Sequence, residues 1–332
     1  MFVNKFPVAG SRIPLFLALV ALFATLAGAA QARAAAGPSR IVFVAGKAHR
    51  CHEGACHNLD LVRSVSPHGG RGRVLSEIRE VAETASADDG TVAVLSRNHA
   101  GGGANGGSFV QIYLVRPNGK RTAVFRHRLQ RFNATGLGIS GNGRLLALSG
   151  GYAREYGPSK IWLVRADGSG LRQLTDGPAV DETPALSPDG KRVVFSRTAH
   201  DGTPSGRKPE LYVAPTAGGE AVRLTENTVE DVNPVWSPDG RRIAFGAVTA
   251  GELGSVQTIA ADGSDQRRVT STGEEYPDPD YSPSGRSLVF VGQSGSHPYE
   301  NALFTVRASG AARHLVSRHF EDPGLPQWTL AR

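Results

Sequence analysis

The most reactive side chains lie in one short string near the amino end, His49-Arg-Cys-His-Glu-Gly-Ala-Cys-His57, which holds the only two cysteines of the chain. Two cysteines this close predict a disulfide between Cys51 and Cys56 in an oxidising compartment. Sulfur and imidazole ligands also suit zinc or copper, so both thiolates with His49, His52 or His57 form an alternative metal site. A third interpretation is covalent haem, because Cys51 to His57 is a widened Cys-x4-Cys-His string.

A second candidate is a pair of acidic residues that recurs a few positions before each of four proline-containing segments. The pairs are Asp181 and Glu182, Glu230 and Asp231, Glu274 and Glu275, and Glu321 and Asp322. If a symmetric fold gathers them, these carboxylates form a ligand-binding ring that attracts a divalent cation or a basic peptide. Alternatively, they accept hydrogen bonds from backbone amides of the neighbouring repeat. Arg79 and the segment 131–133 break the pattern in two further repeats, so the acidity is one-sided.

No catalytic motif accompanies these groups. The string nearest to a Gly-x-Ser-x-Gly nucleophile elbow, Gly292-Gln-Ser-Gly-Ser296, has the wrong spacing, and there is no phosphate-binding loop or His-Glu-x-x-His pair. No catalytic residue and no resident cofactor are therefore predicted, with a divalent cation and haem kept as alternatives. The sequence favours a non-catalytic binding or scaffold protein. The alternative function is a metal-dependent hydrolase or lactonase whose site would be the acidic ring.

The acidic pairs are positioned by a repeat whose best copy is Pro184-Ala-Leu-Ser-Pro-Asp-Gly-Lys-Arg-Val-Val-Phe-Ser196. It predicts a strand, a tight turn and a strand, because Pro, Asp and Gly supply a fixed φ, a local acceptor and a free φ. The turn glycines of four copies are 47, 50 and 45 residues apart: Gly143, Gly190, Gly240 and Gly285. A period in this range is typical of propeller blades. The predicted fold is all-β, a single six-bladed β-propeller of four-stranded blades.

The first repeat lacks an inner strand. It begins at Arg40-Ile-Val-Phe-Val-Ala45, which matches the second strand of the other repeats. The missing strand is found after the sixth outer strand, where the segment from Asp322 to Leu330 matches an inner strand. We expect this carboxy-terminal strand to complete the first blade, because ring closure removes two exposed sheet edges.

The repeat resembles that of the TolB-type (WD-like) β-propeller family. The shared pattern is two acids, a proline, Trp or Leu, then Ser-Pro-Asp-Gly, two basic residues and a strand ending in Phe, with Leu-Thr closing the unit. The resemblance covers about residues 39–332 and is strongest from 160 to 292. It implies a six-bladed propeller like the carboxy-terminal propeller of TolB, without the α/β domain that precedes it there.

The amino-terminal 36 residues have the pattern of a secretory signal peptide. Lys5 and Arg12 precede an uncharged apolar run, 13–30, and small residues follow, so cleavage is expected after Ala32 or Ala36. The predicted organisation is a signal peptide at 1–36 and a TolB-like propeller at 37–332, in the periplasm or secreted. The alternative is an uncleaved membrane anchor, because the apolar run is just long enough to span a bilayer.

Charge and loop composition restrict the class of partner. The formal net charge is +7, of which Lys5, Arg12 and Arg33 contribute three, and no block of Lys and Arg is present. Nucleic-acid binding is therefore not predicted. The loops 98–108, 152–159 and 200–208 vary most between repeats, and specificity is expected there. We expect a monomer that binds a protein or peptide partner, with membrane contact only if the anchor is uncleaved.

Overall fold

The computed structural model describes residues 39–52, 55–68, 73–78, 81–99, 108–124, 129–130, 132–152, 158–199, 208–249, 254–271, 278–293, 301–310, 313–317 and 327–330. These residues form strands, turns and connections. Among them, no helix is long and apolar enough to cross a membrane. The expected signal peptide and its cleavage sites lie outside the described residues.

The strands form six antiparallel sheets, which are the six blades of a propeller. The strands are given from the inner to the outer position of each blade. Blade 1 consists of β25 (Gln327–Leu330), β1 (Ser39–His52), β2 (Ala55–Val65) and β3 (Arg73–Ile78). Blade 2 consists of β4 (Val81–Ser86), β5 (Val92–His99), β6 (Ser108–Val115) and β7 (Arg121–Ala123), and a fifth short strand, β8 (Leu129–Gln130), also pairs with β6.

The remaining blades each have four strands in chain order. Blade 3 consists of β9 (Phe132–Ile139), β10 (Leu145–Tyr152), β11 (Lys160–Arg165) and β12 (Arg172–Gln173). Blade 4 consists of β13 (Val180–Leu186), β14 (Arg192–Thr198), β15 (Glu210–Pro215) and β16 (Val222–Arg223). Blade 5 consists of β17 (Glu230–Trp236), β18 (Arg242–Val248), β19 (Ser255–Ala260) and β20 (Arg267–Arg268). Blade 6 consists of β21 (Asp280–Tyr281), β22 (Ser287–Gln293), β23 (Asn301–Arg307) and β24 (His314–Ser317).

The ring closes in the first blade, as the sequence predicts. Strand β25 pairs antiparallel with β1, from Ser39 opposite Leu330 to Val42 opposite Gln327. The inner strands also touch in cyclic order, with β25 contacting both β4 and β21. The carboxy-terminal strand therefore supplies the inner strand that the first repeat lacks.

The apolar core lies between the blades. Six buried clusters fill the six boundaries between neighbouring blades, which we call seams. Residues of the second strands alternate between the two seams that flank their blade: Val193 and Phe195 face blade 3, whereas Val194 faces blade 5. This alternation follows from the two-residue period of a strand. A strand that is covered on both faces reads as the continuous run Val-Val-Phe in the sequence.

The antiparallel order gives the propeller two chemically different ends. Each inner strand begins beside the connection between the second and third strands of its blade, and we call this the loop end. The Ser-Pro-Asp-Gly turns lie at the opposite end, the turn end.

The aspartate of a Ser-Pro-Asp-Gly turn is held by hydrogen bonds within the turn. Ser187 Oγ donates to Asp189 Oδ1 at 2.6 Å, the amide of Lys191 donates to the same oxygen at 3.0 Å, and Gly190 has φ of 70°. These hydrogen bonds hold the pKa of Asp189 below its usual value. The aspartate is therefore a turn residue, as its sequence context predicts.

Candidate binding site at the loop end of the channel

The strand register separates the two acids within each described pair. Asp181 is opposite Arg197 and Asp231 is opposite Ala247, at equivalent positions of β13 and β17. The pairs are therefore offset by one residue, since Asp181 is the first acid of its pair and Asp231 the second. Neighbouring residues of a strand point to opposite faces, so a one-residue offset changes which acid is buried.

The buried member of each pair belongs to a seam. Asp181 is fully buried, and its carboxylate is paired with Arg197 through distances of 2.6 Å and 3.0 Å to Nε and Nη2. Asp231 is also fully buried, and its backbone amide donates to the carbonyl oxygen of Pro209 in the preceding blade at 2.8 Å. Burial raises the pKa of Asp231 to about 6. Both carboxyls are therefore enclosed by the protein and do not line an open channel.

The other members are accessible at the loop end. Glu182 is exposed and Glu230 is half-buried, although both lie on inner strands. Both faces of a blade are covered by its neighbours, so an exposed side chain on an inner strand opens onto the channel or its mouth. The remaining predicted acids lie outside the described residues: Glu274, Glu275, Glu321 and Asp322.

A further set of polar residues lies on the inner strands where each strand has a bulge. Thr183 has φ of 48° and Asn233 has φ of 52°, and each lies beside a break in the strand register. The left-handed region is uncommon for residues other than glycine, and especially so for a β-branched threonine. Asp278 occupies the equivalent position next to β21. Its carboxylate accepts a hydrogen bond from the Asn233 side-chain amide across the seam between blades 5 and 6.

Asp278 is an inner-ring acid that sequence reasoning overlooked. Burial raises the pKa of its carboxyl to about 7, and the hydrogen bond from Asn233 opposes that rise. The available signal was positional, because Thr183, Asn233 and Asp278 each stand immediately before a proline that aligns between repeats. The paired acids recur as a recognisable motif, whereas this position carries threonine, asparagine and aspartate in the three blades compared.

The cysteine string lies at the tip of a long hairpin between β1 and β2. Cys51 is directly opposite Cys56 in the ladder, and His49 is opposite Asn58. The side chains of this tip, including the histidines His52 and His57, lie outside the described part. In the part that is described, no group of three or more His, Cys, Asp or Glu residues could hold a metal ion.

Comparisons with known proteins agree with the architecture. Residues 199–328 match the family model described as the TolB beta propeller domain. The crystal structure of TolB from Acinetobacter baumannii is similar with a TM-score of 0.68 at 18% identity, covering 94% of this chain and 71% of that chain. A putative TolB from Agrobacterium tumefaciens is similar with a TM-score of 0.59 at 20% identity, covering 86% of this chain and 90% of that chain.

The fold is not confined to TolB. A chain in the crystal structure of a nidogen/laminin complex is similar with a TM-score of 0.62 at 10% identity, covering 89% of this chain and 99% of that chain. Identities this low establish a common fold alone. No curated protein sequence matches the chain.

Proposed function

We propose that this chain, whose residues 199–328 match the TolB beta propeller domain, acts as an exported, non-catalytic binding propeller. Its partner is a protein, a peptide or a small ligand that carries positive charge and docks at the loop end of the channel. The supporting observation is the exposure of Glu182 on an inner strand whose other acid, Asp181, is buried and neutralised. Unlike the carboxylate of Asp181, the exposed carboxylate of Glu182 can therefore contact a ligand.

The binding surface combines several groups at the loop end. Glu182 and Glu230 supply carboxylates at the start of two neighbouring inner strands. Asn233 and Asp278, which are hydrogen-bonded to each other, lie deeper in the protein than these two carboxylates and hold blades 5 and 6 together. By repeat equivalence we also assign a ligand-binding role to the acids outside the described residues: Glu274, Glu275, Glu321 and Asp322. A negatively charged surface attracts a basic segment over several ångströms before contact, and salt screens that attraction.

Export and a disulfide form part of the same proposal. Directly opposed residues of an antiparallel ladder have Cα atoms about 4.5–5.5 Å apart, which falls within the span of a disulfide. The paired positions of Cys51 and Cys56 support a bridge across the tip of the β1–β2 hairpin. Such a bridge persists in an oxidising compartment, in keeping with a signal peptide at 1–36.

A fluorescence anisotropy titration with a labelled Lys- and Arg-rich decapeptide tests the binding site. We expect the double variant Glu182→Gln, Glu230→Gln to bind roughly two- to thirtyfold more weakly, because two exposed charge pairs contribute about 0.2–1 kcal/mol each. The matched control is Glu220→Gln, which removes an exposed acid from the turn end. Equal weakening by the control and by the double variant would mean that the peptide senses only net charge, and the proposed site would be wrong.

A further inference from the structure

The seam between blades 4 and 5 contains a buried carboxyl with an unpartnered oxygen. Asp231 is 0% exposed, and its Oδ2 accepts a hydrogen bond of 2.7 Å from the side-chain amide of Asn227. Its other oxygen, Oδ1, is buried and has no hydrogen-bond donor among the described residues. Buried polar atoms are nearly always satisfied, so an occupant for Oδ1 is required.

A second buried carboxyl stands beside it. Glu210, at the start of β15, is 6% exposed, and its carboxyl contributes to the raised pKa of Asp231. Its Oε1 accepts from the backbone amide of Asn227 at 2.9 Å and from Arg223 at 3.1 Å, and its Oε2 accepts from the Thr225 hydroxyl at 2.6 Å. Asn227 therefore holds both carboxyls, one through its backbone and one through its side chain.

The neighbouring seam has the same backbone arrangement around its buried aspartate, but two positive side chains accompany that aspartate. Lys160 is the counterpart of Glu210, because each stands one residue before a backbone amide that donates a hydrogen bond of 2.9 Å to a threonine hydroxyl just after the outer strand. Arg197 is the counterpart of Ala247, since each is opposite the buried aspartate. At the seam between blades 3 and 4, Lys160 and Arg197 provide positive charge next to Asp181. At the seam between blades 4 and 5, both positions lack it.

No other charged group on the strands packed against β17 compensates Asp231. On β13 and β14, Asp181 and Arg197 pair with each other. Asp278, next to β21, is bonded to Asn233. Two arginines lie at the turn end: Arg192 lies over the Trp236 indole, and Arg242 is paired with Asp265. Asp280 on β21 is buried, Glu182 on β13 is exposed, and the exposed Glu226 is bonded to Arg223. Lys208 donates to the carbonyl oxygen of Thr228, and the phenols of Tyr212 and Tyr281 are the remaining titratable groups on these strands.

Burial is the largest cause of the raised pKa of Asp231, and the Thr225 hydroxyl and the Asn227 amide oppose it. Among the described residues, Glu210 is the only charged group that acts on this carboxyl, and it carries the same sign.

We propose that Glu210 and Asp231 share one proton across this seam and so form a pH-sensitive latch between blades 4 and 5. The proton allows one carboxyl to donate to the other, which satisfies the unpartnered Oδ1. A divalent metal ion would need several free oxygen ligands, whereas three of the four carboxylate oxygens already accept hydrogen bonds from protein donors. Loss of the proton leaves two adjacent buried carboxylates that repel each other.

The sign of the pH effect follows from the raised pKa of Asp231, which is about 6 in the fold against an ordinary value of 3.8. The folded protein binds the proton more tightly than the unfolded chain. Stability from this group is therefore fully present below about pH 4 and is lost as the pH rises through about 6. The inference does not depend on the proposed ligand of the channel.

Thermal unfolding of the full chain between pH 4.5 and pH 8 tests the latch. We expect the Tm of the parent minus the Tm of Asp231→Asn to fall by several degrees as the pH rises from 5 to 7, because the neutral amide imitates the protonated acid. The difference between the two proteins removes contributions from other titrating groups such as Asp278. In Glu210→Gln, the same fall should move to lower pH, since one negative neighbour is removed.

A matched control sits at the neighbouring seam. Asp181→Asn leaves Arg197 without its partner and should lower the Tm at every pH, with no midpoint near 6. A difference in Tm between the parent and Asp231→Asn that stays constant from pH 5 to pH 7 would overturn the proposal. If Asp231→Asn does not fold, the proposal is overturned when the fall in Tm of Glu210→Gln has the same midpoint pH as that of the parent. A calcium-induced rise in Tm at pH 8 that Asp231→Asn abolishes would identify a cation as the occupant and would also overturn it.

Discussion

The indole of Trp236 donates a hydrogen bond of 3.1 Å to the carbonyl oxygen of Ala185, which ties the inner strand of blade 5 to that of blade 4. Arg192 of blade 4 lies over the same indole at 4.4 Å and donates to the carbonyl oxygen of Gly240 at 3.0 Å. The tryptophan of the repeat is thus a connector between blades, and it is 7% exposed.

This connection predicts the effect of removing the indole. Trp236→Phe should lower the free energy of unfolding by about 1–2 kcal/mol, because it loses one hydrogen bond and weakens one cation–π contact. Arg192→Ala should act on the same contacts, so the double variant should cost less than the sum of the single variants in denaturant titrations. Strict additivity would show that the two side chains do not cooperate across the seam.

Ring closure predicts the effect of shortening the chain. Deleting residues 327–332 removes the partner of β1 and exposes its edge. We expect a fall in Tm of roughly 5–10 °C, since several kcal/mol of strand pairing are lost, together with light scattering from edge-to-edge association. The control is deletion of residues 331–332, which leaves every paired residue in place. A full deletion that melts with the control would contradict closure by β25.

The close approach of blades 3 and 4 predicts a large difference between two glycines of blade 3. A Cβ at Gly138 would lie 2.5 Å from the carbonyl oxygen of Pro184 and 3.2 Å from Cα of Ala185, whereas a Cβ at Gly151 meets nothing within 4 Å. Gly138→Ala should lower the free energy of unfolding by about 1–3 kcal/mol. Gly151→Ala should leave it unchanged or slightly higher in the same denaturant titration. Similar values for both variants would refute the tight seam.

The opposed cysteine positions predict the redox state of the protein in an oxidising compartment. Intact mass spectrometry without reductant should show a loss of two hydrogens, about 2 Da, relative to the dithiol form. Cys51→Ser should abolish that loss and leave one thiol open to alkylation. Two freely alkylated thiols in the parent protein would refute the disulfide, and a mass increase of one haem would support the third interpretation of the string.

The blade architecture could be predicted from the sequence because its determinants are local. The turn at Gly190 depends on residues within five positions, and the run from Val193 to Phe195 needs only a covered strand. Closure by the segment ending at Leu330 was also accessible, since two incomplete repeats at opposite ends complement each other.

The candidate site was only partly predictable, because it depends on register. Asp181 and Glu230 both open acidic pairs, yet they occupy different register positions, and the one-residue offset decides which acid is buried. The partners of those acids come from other strands of the ring, as Glu210 does for Asp231. Asp278 was overlooked because its role arises from a bulge whose backbone angles no short motif specifies.

The alternation of Val193, Val194 and Phe195 between two seams has a consequence for the order in which the protein unfolds. Each buried cluster is built from residues of two neighbouring blades, so detaching one blade exposes the clusters in both seams beside it. A linear array of repeats can fray from a terminal unit, but a closed ring has no terminal unit. We therefore expect hydrogen exchange of the six second strands to proceed through one common opening event.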